Sequence, residues 1–194
     1  MNIYHKRFLS SCSCENMVGL FSRYRGAAKE VTESMGMLEA ARKLITKLDE
    51  HKVIVVGDGC SPRTGILFAY LTRADVVSVD PNFNMLHWEE HVAKQTAIGF
   101  PPQRIRLLPA KIEDVEIDCE GRPCLVLWPH SHADMRNARI TNYTQRSDIA
   151  MPCCVQVPAE WMQQPHIMFV DRNVLSPKNH IHAWLLHTPQ ERRK

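Results

Sequence analysis

The feature that most constrains the fold is the run Lys52-Val53-Ile54-Val55-Val56, four β-branched residues after a lysine, which stops abruptly at Gly57-Asp58-Gly59. A run apolar at every position, not every second one, suits a strand covered on both faces, as in a parallel sheet. Gly57 and Gly59 let the chain turn sharply and let backbone amides approach a ligand with no Cβ in the way. The following segment, Pro62 to Arg73, is apolar on most sides and predicts a helix pressed on that sheet. Ser61-Pro62 reads as its N-cap and first turn, presenting free N–H groups to an anionic ligand.

The same alternation continues. Strands are predicted at Val76–Val79, Arg104–Leu108 and Pro123–Trp128, and a fifth at Ile149–Val157, where Pro152 interrupts the centre. Met85 to Lys94 reads as a helix and Asp134 to Ile140 as a short one. Near the chain end, His166–Val170 and His180–Leu186 are strands with no helix between them, which makes them antiparallel. The expected fold class is α/β: a three-layer Rossmann-like sandwich, its sheet mostly parallel with a C-terminal antiparallel hairpin. Residues 51–194 form that domain, and 1–50 form a helical extension packing on it. In the extension, Met17 to Val31 reads as one helix. Ser34 caps a second, with Leu38, Ala41, Ile45 and Leu48 as its stripe and Gly36 weakening its first turn.

Asp80 lies 21 residues beyond Gly59, at the end of the second strand. A carboxylate at that distance accepts hydrogen bonds from both hydroxyls of a ribose. Strand, glycine bend, helix and acid together point to a nucleoside site.

The stretches Val55-Val56-Gly57-Asp58-Gly59 and Val77-Ser78-Val79-Asp80-Pro81-Asn82-Phe83-Asn84-Met85-Leu86 resemble the first two motifs of class I S-adenosylmethionine-dependent methyltransferases. That family also ends in an antiparallel hairpin. The resemblance covers residues 52 to about 130 in motifs, and the remainder in order of elements. It implies S-adenosyl-L-methionine as cofactor, with Gly57, Asp58 and Gly59 lining its methionine end, Asp80 on the ribose and Ser61 also among the cofactor-binding residues. Pro81 and Asn82 would lie beside the adenine, and Glu113 near its edge or on an exposed helix start. Ser61 replaces the family's third glycine. Pro62 stands where a dinucleotide motif needs its last glycine, which disfavours a pyrophosphate. Arg63, in the first helical turn, suits bidentate contact with a ligand carboxylate; its alternative is a plain surface arginine.

Chemistry collects beyond the carboxyl ends of strands. There the fourth strand runs into Trp128-Pro129-His130-Ser131-His132-Ala133-Asp134. His130 or His132 is a candidate general base, held by Asp134. Their alternative is a solvated loop. The His-x-His pairs at 130/132 and 180/182 lack a third ligand, so no metal is expected. Acceptor signatures of base-amino and ribose methyltransferases are missing, so the acceptor stays unidentified, a small molecule or RNA.

Three functions remain open. The first is a methyltransferase. The second is a non-catalytic subunit of a larger, RNA-containing assembly. The third is an NAD(P)-dependent oxidoreductase. A net charge of +3 permits an anionic partner without requiring one; the basic clusters are Arg23, Arg25 and Lys29, and a solvated Arg192-Arg193-Lys194 tail. Seven cysteines without framework spacing suit free thiols in a reducing compartment, hence the cytoplasm. Residues 1–14, with Lys6, Arg7, serines and no acid, faintly suggest an organellar transit segment. No stretch is long and apolar enough to cross a membrane.

Overall fold

The computed structural model describes residues 1–22, 26–152 and 164–187. Arg23, Arg25, Cys153, Cys154, the end of the expected fifth strand and the Arg192–Lys194 tail therefore lie outside the described residues.

Seven strands form one sheet in the order β3-β2-β1-β4-β5-β7-β6. Strands β1 (Lys52–Val56), β2 (Asp75–Val79), β3 (Ile105–Leu108), β4 (Ile117–Pro129) and β5 (Ile140–Met151) are mutually parallel. β7 (His180–His187) runs antiparallel to β5 and to β6 (Ile167–Val170). Every residue of β1 is buried, as its unbroken apolar run required. Val53 and Val55 join the cluster under the helices, while Ile54 and Val56 join the one on the opposite face.

Helices α1 (Ile3–Leu9), α2 (Cys14–Phe21), α3 (Ala27–Leu44) and α4 (Arg63–Leu71) supply buried side chains to the first cluster. α5 (Met85–Ala97) packs there through Trp88. The second face is covered differently. Among the described residues its non-strand contributions are Ile112 and Met135, from 3-10 turns at Ile112–Asp114 and Met135–Asn137, flanked by Val115, Ala133 and Ala138. Ten residues, 130–139, return the chain from β4 to β5, too few for the usual crossover helix.

Several expectations are corrected. The single helix read at Met17–Val31 is instead two: its start lies in α2, which ends at Phe21, and its end in α3, which begins at Ala27. Ser34 is not a cap. It sits mid-helix, 3% exposed, its hydroxyl 3.2 Å from that of Thr64. Gly36 is also mid-helix, and its lack of a side chain has a packing reason: a Cβ there would lie 2.6 Å from Val174 Cγ2. Gly36→Ala is therefore expected to cost about 1 kcal/mol net, because overpacking a stiff valine outweighs the helix propensity gained. Thermal denaturation checks this; a raised Tm would contradict it.

The helix expected at Asp134–Ile140 is only the 3-10 turn, and β5 begins at Ile140, not Ile149. β4 likewise begins at Ile117, before a pairing irregularity between Asp118 and Cys124 where Glu120 and Gly121 have positive φ. The outer parts of both strands alternate buried and exposed, so their polar residues disguised them as loop.

Residues 1–14, read as a transit-like segment, contain α1. Its Tyr4 and Phe8 are buried in the core, the Tyr4 hydroxyl donates to Asp171, and Asn2 caps the helix by accepting from Tyr4 N at 2.8 Å. Cys12, Cys14, Cys60, Cys119 and Cys124 are free thiols. No described helix is long and apolar enough to cross a membrane.

The helix-poor face hides an ion pair. Arg146, 1% exposed, donates through Nε and Nη2 to Asp148, which is fully buried, at 2.7–3.2 Å. Trp128 Nε1 adds a 3.0 Å bond to the same carboxylate. Two residues apart on β5, the partners project from one face of the sheet.

Candidate functional site

The carboxyl ends of β1, β2 and β4 meet around the glycine bend. Gly57 (φ 83°) and Gly59 (φ 78°) are both left-handed, a conformation costly for any other residue. Space is also denied at Gly57, where a Cβ would meet Ser131 Oγ at 2.8 Å; at Gly59 a Cβ would meet only the movable Arg63 Nη2, at 3.2 Å. Gly57 N donates to Val79 O at 2.9 Å, stitching the bend to the end of β2.

Asp80 lies against this bend. Its Oδ2 accepts from Gly59 N at 2.8 Å and its Oδ1 from Asn82 N at 2.7 Å. Each carboxylate oxygen has a second lone pair, so the group retains acceptor capacity for ligand hydroxyls. Pro81 and Asn82 follow at the exposed turn into α5, and Asn84 N bonds Cys60 O at 2.9 Å.

Asp58 does something the sequence reading missed. Its buried carboxylate accepts from Thr64 N, Gly65 N and Ser78 Oγ, each at 2.8 Å. Burial pushes this carboxyl up, against the pull of those three donors and of Arg63. Asp58 therefore caps α4, in place of Ser61, which is buried with its hydroxyl 3.5 Å from His87 Nδ1. Two amides expected to greet an anion are consequently already satisfied.

Two hollows open on either side of Gly57. One, of about 320 Å³, is bordered by Asp80, Pro81, Asn82, Lys111, Glu113 and Ala133. The other, of about 370 Å³, is bordered by Glu30, Glu33, Asp58, Gly59, Arg63 and Lys178. His130 and His132 border both. A larger hollow of about 590 Å³, bordered by Arg42, Arg73 and Arg104, lies at the opposite, amino-terminal edge of the strands. There neither the bend nor Asp80 contributes.

The acid beside the histidines is not Asp134. That carboxylate is held by Arg136, through the backbone N and the guanidinium, at 2.7–3.1 Å, which also keeps it below the usual carboxylate range. A flexible arginine two residues away captured it. Instead His130 Nε2 lies 2.7 Å from Glu33 Oε1, with Lys29 Nζ 3.1 Å from the same oxygen. Glu33 is 4% exposed. Burial pushes its carboxyl up, but His130 and Lys29 more than offset this and hold it below its ordinary value. The pairing thus stabilises the fold above the ordinary carboxylate range and is lost as pH falls through the lowered value. His130 itself adopts φ 52°, and its backbone N donates to Met151 O at 3.0 Å.

Arg63, only 13% exposed along its side chain, reaches Glu30 at 3.2 Å. Glu30 and Glu33 escaped the sequence reading because it split α3 between them. In one continuous helix they lie three apart, on one side. The Lys29–Glu33 spacing of four was the signal available. Among the described residues, no three His, Cys, Asp or Glu side chains are placed to hold a metal ion.

No protein-family model matches the chain, and no curated protein does. Among solved structures, that of MtNAS in complex with MTA and tNA aligns over 96% of this chain and 69% of its own, with a TM-score of 0.52 and 12% identity. The chain shares with it a Rossmann-like α/β fold, one mixed sheet mostly parallel with antiparallel C-terminal strands. Weaker likenesses, below a TM-score of 0.5, include M. capricolum TrmK in complex with S-adenosyl-homocysteine (0.45, 9% identity, 78% of this chain and 67% of that one). Magnesium protoporphyrin IX methyltransferase from Synechocystis PCC 6803 with bound SAH is another (0.41, 11%, 76% and 64%). At such identities the likeness concerns the fold.

Proposed function

We propose that the protein binds S-adenosylmethionine across the glycine bend and transfers its methyl group to an acceptor, a small molecule or RNA. The observation that carries this reading is Asp80 bonded to Gly59 N at 2.8 Å, with a hollow on each side of Gly57. The adenosine takes the hollow with Pro81, Asn82 and Glu113. The amino-acid end takes the one with Arg63 and Glu30, whose opposite charges match its carboxylate and ammonium. Group transfer by positioning asks little chemistry of the side chains, so a rim of His130 and His132 suffices. Asp134 is not part of that rim in this proposal.

The NAD(P) reading loses ground because Asp58 occupies the amides of Thr64 and Gly65, donors a pyrophosphate would use. The non-catalytic subunit reading has one observation in its favour: Ser131 occupies the space beside Gly57 that a Cβ there would need, and borders the hollow with Asp80.

Thermal-shift titration with S-adenosylmethionine, S-adenosylhomocysteine, NAD and NADP separates these readings. We expect a concentration-dependent rise with the first two only. A rise with NAD instead would establish the oxidoreductase reading, and no rise with any would favour the subunit. Arg63→Ala should weaken S-adenosylhomocysteine about tenfold and leave methylthioadenosine, which lacks the amino-acid end, unchanged. Calorimetry checks the pair; equal loss for both ligands would remove Arg63 from the carboxylate.

A further inference from the structure

We infer that the hollow at the amino-terminal edge of the sheet is a second ligand site, and that it takes a phosphate group. It lies at the opposite edge from the glycine bend and does not depend on the cofactor reading.

The topology assembles this site. Strands β1, β2 and β3 are parallel neighbours, so the residues just ahead of each strand gather at one edge of the sheet. They include Lys47 ahead of β1, Arg73 ahead of β2 and Arg104 ahead of β3, and α3 adds Arg42. Adjacent strands are about 5 Å apart, so long basic side chains starting from such a row reach a common anion. All four border the hollow of about 590 Å³.

The ordinary reason for an arginine here is the C-terminal end of α4, whose last carbonyls need partners. Arg42 Nη2 donates to Leu71 O at 2.8 Å, and Arg104 Nη2 to Ala69 O and Thr72 O at 3.2 and 3.3 Å. Those bonds cover the carbonyls that would repel an anion, and they fix two planar donor groups in advance. They leave Arg73 unexplained. Its backbone N holds Asp49 Oδ1 at 2.8 Å, while its guanidinium makes no hydrogen bond or ion pair among the described residues.

Charge points the same way. Asp49 is the carboxylate on the hollow's border. Lys47 is answered by Glu50 at 3.2 Å, and Glu39, 3.3 Å from Arg42, is held more closely by Arg7 at 2.7 Å. The helix end adds about half a negative charge. Against four cations these leave a surplus of about one to two positive charges, which one phosphate group neutralises. Lys47 (φ 53°) and Arg104 (φ 58°) also sit in the left-handed region, which glycine adopts without cost. Both positions carry a long basic side chain against that strain, as binding sites do.

The test titrates the ¹⁵N-labelled full chain with orthophosphate and, separately, with single-stranded hexauridylate, ionic strength being held constant with sodium chloride. Saturable shifts are expected at the amides of Lys47, Arg73 and Arg104. Arg73→Ala, an exposed change that leaves the helix end intact, should weaken the binding about tenfold, one charge-assisted contact's worth. Lys47→Gly should weaken it about threefold without lowering Tm, a combination that a purely structural lysine would not give. The same amides answering hexauridylate at lower concentration identify the phosphodiesters of single-stranded RNA as the source. No gain over orthophosphate identifies a phosphorylated small molecule. Shifts that survive unchanged in Arg73→Ala, or no saturable shift at these amides with either probe, overturn the proposal. None of these amides belongs to the glycine bend, so this site and the cofactor reading fail separately.

Discussion

Asp80→Asn is expected to lower affinity for S-adenosylhomocysteine about 100-fold, near 3 kcal/mol, while leaving the protein folded. The native carboxylate holds Gly59 N and Asn82 N and has lone pairs left for two ribose hydroxyls. An amide loses the negative charge and presents one acceptor oxygen, so it must choose between the bend and the sugar. Asp80→Ala should go further and lower stability by about 1–3 kcal/mol, because the amide of Gly59 loses its acceptor. Calorimetry and thermal melts measured on both variants separate the two contributions. Affinity unchanged in Asp80→Asn would mean that the group serves the bend alone.

The largest loss of stability is expected far from any ligand. Asp148→Ala should cost about 3–5 kcal/mol, a fall in Tm of about 10 °C, because it strands the guanidinium of Arg146, which is 1% exposed. The indole N–H of Trp128 loses its acceptor in the same step. Replacing both partners together, Arg146→Met with Asp148→Leu, should recover most of that loss, since a buried charge pair is roughly balanced by well-packed apolar groups. Urea denaturation of the two single variants and the double variant closes the cycle. Single losses that simply add in the double variant would show that the two side chains act independently.

Such a pair was invisible in the sequence, where Arg146 and Asp148 belong to the polar stretch Thr144–Asp148 that precedes Ile149-Ala150-Met151. Burial came from strand pairing: β4 and β7 flank β5 and close over both residues. The same cause hid the first half of β5. Strand β1, by contrast, could be read directly, since only a doubly covered position rewards Val-Ile-Val-Val, and its stop at two glycines with positive φ was equally plain. Asp80 was legible because its distance from the bend is set by the length of one strand–helix–strand unit. The capping role of Asp58 was hidden for a local reason: its neighbours in sequence suggest only a ligand-facing loop, whereas its hydrogen-bond partners are amides of the next helix and a hydroxyl on β2. Glu33 needed tertiary structure. Nothing in the spacing of α3 says which residue after β4 it will meet.

Function in this account depends on a nucleoside lying at the carboxyl ends of the strands rather than in the larger arginine-bordered hollow at their amino ends. Amide chemical shifts of the ¹⁵N-labelled protein, titrated with S-adenosylhomocysteine, read that difference directly. Saturable changes are predicted at Gly57, Gly59, Asp80 and Asn82, with Arg73 and Arg104 unmoved. Changes confined to Arg42, Arg73 and Arg104, or no saturable change at all, would contradict the account.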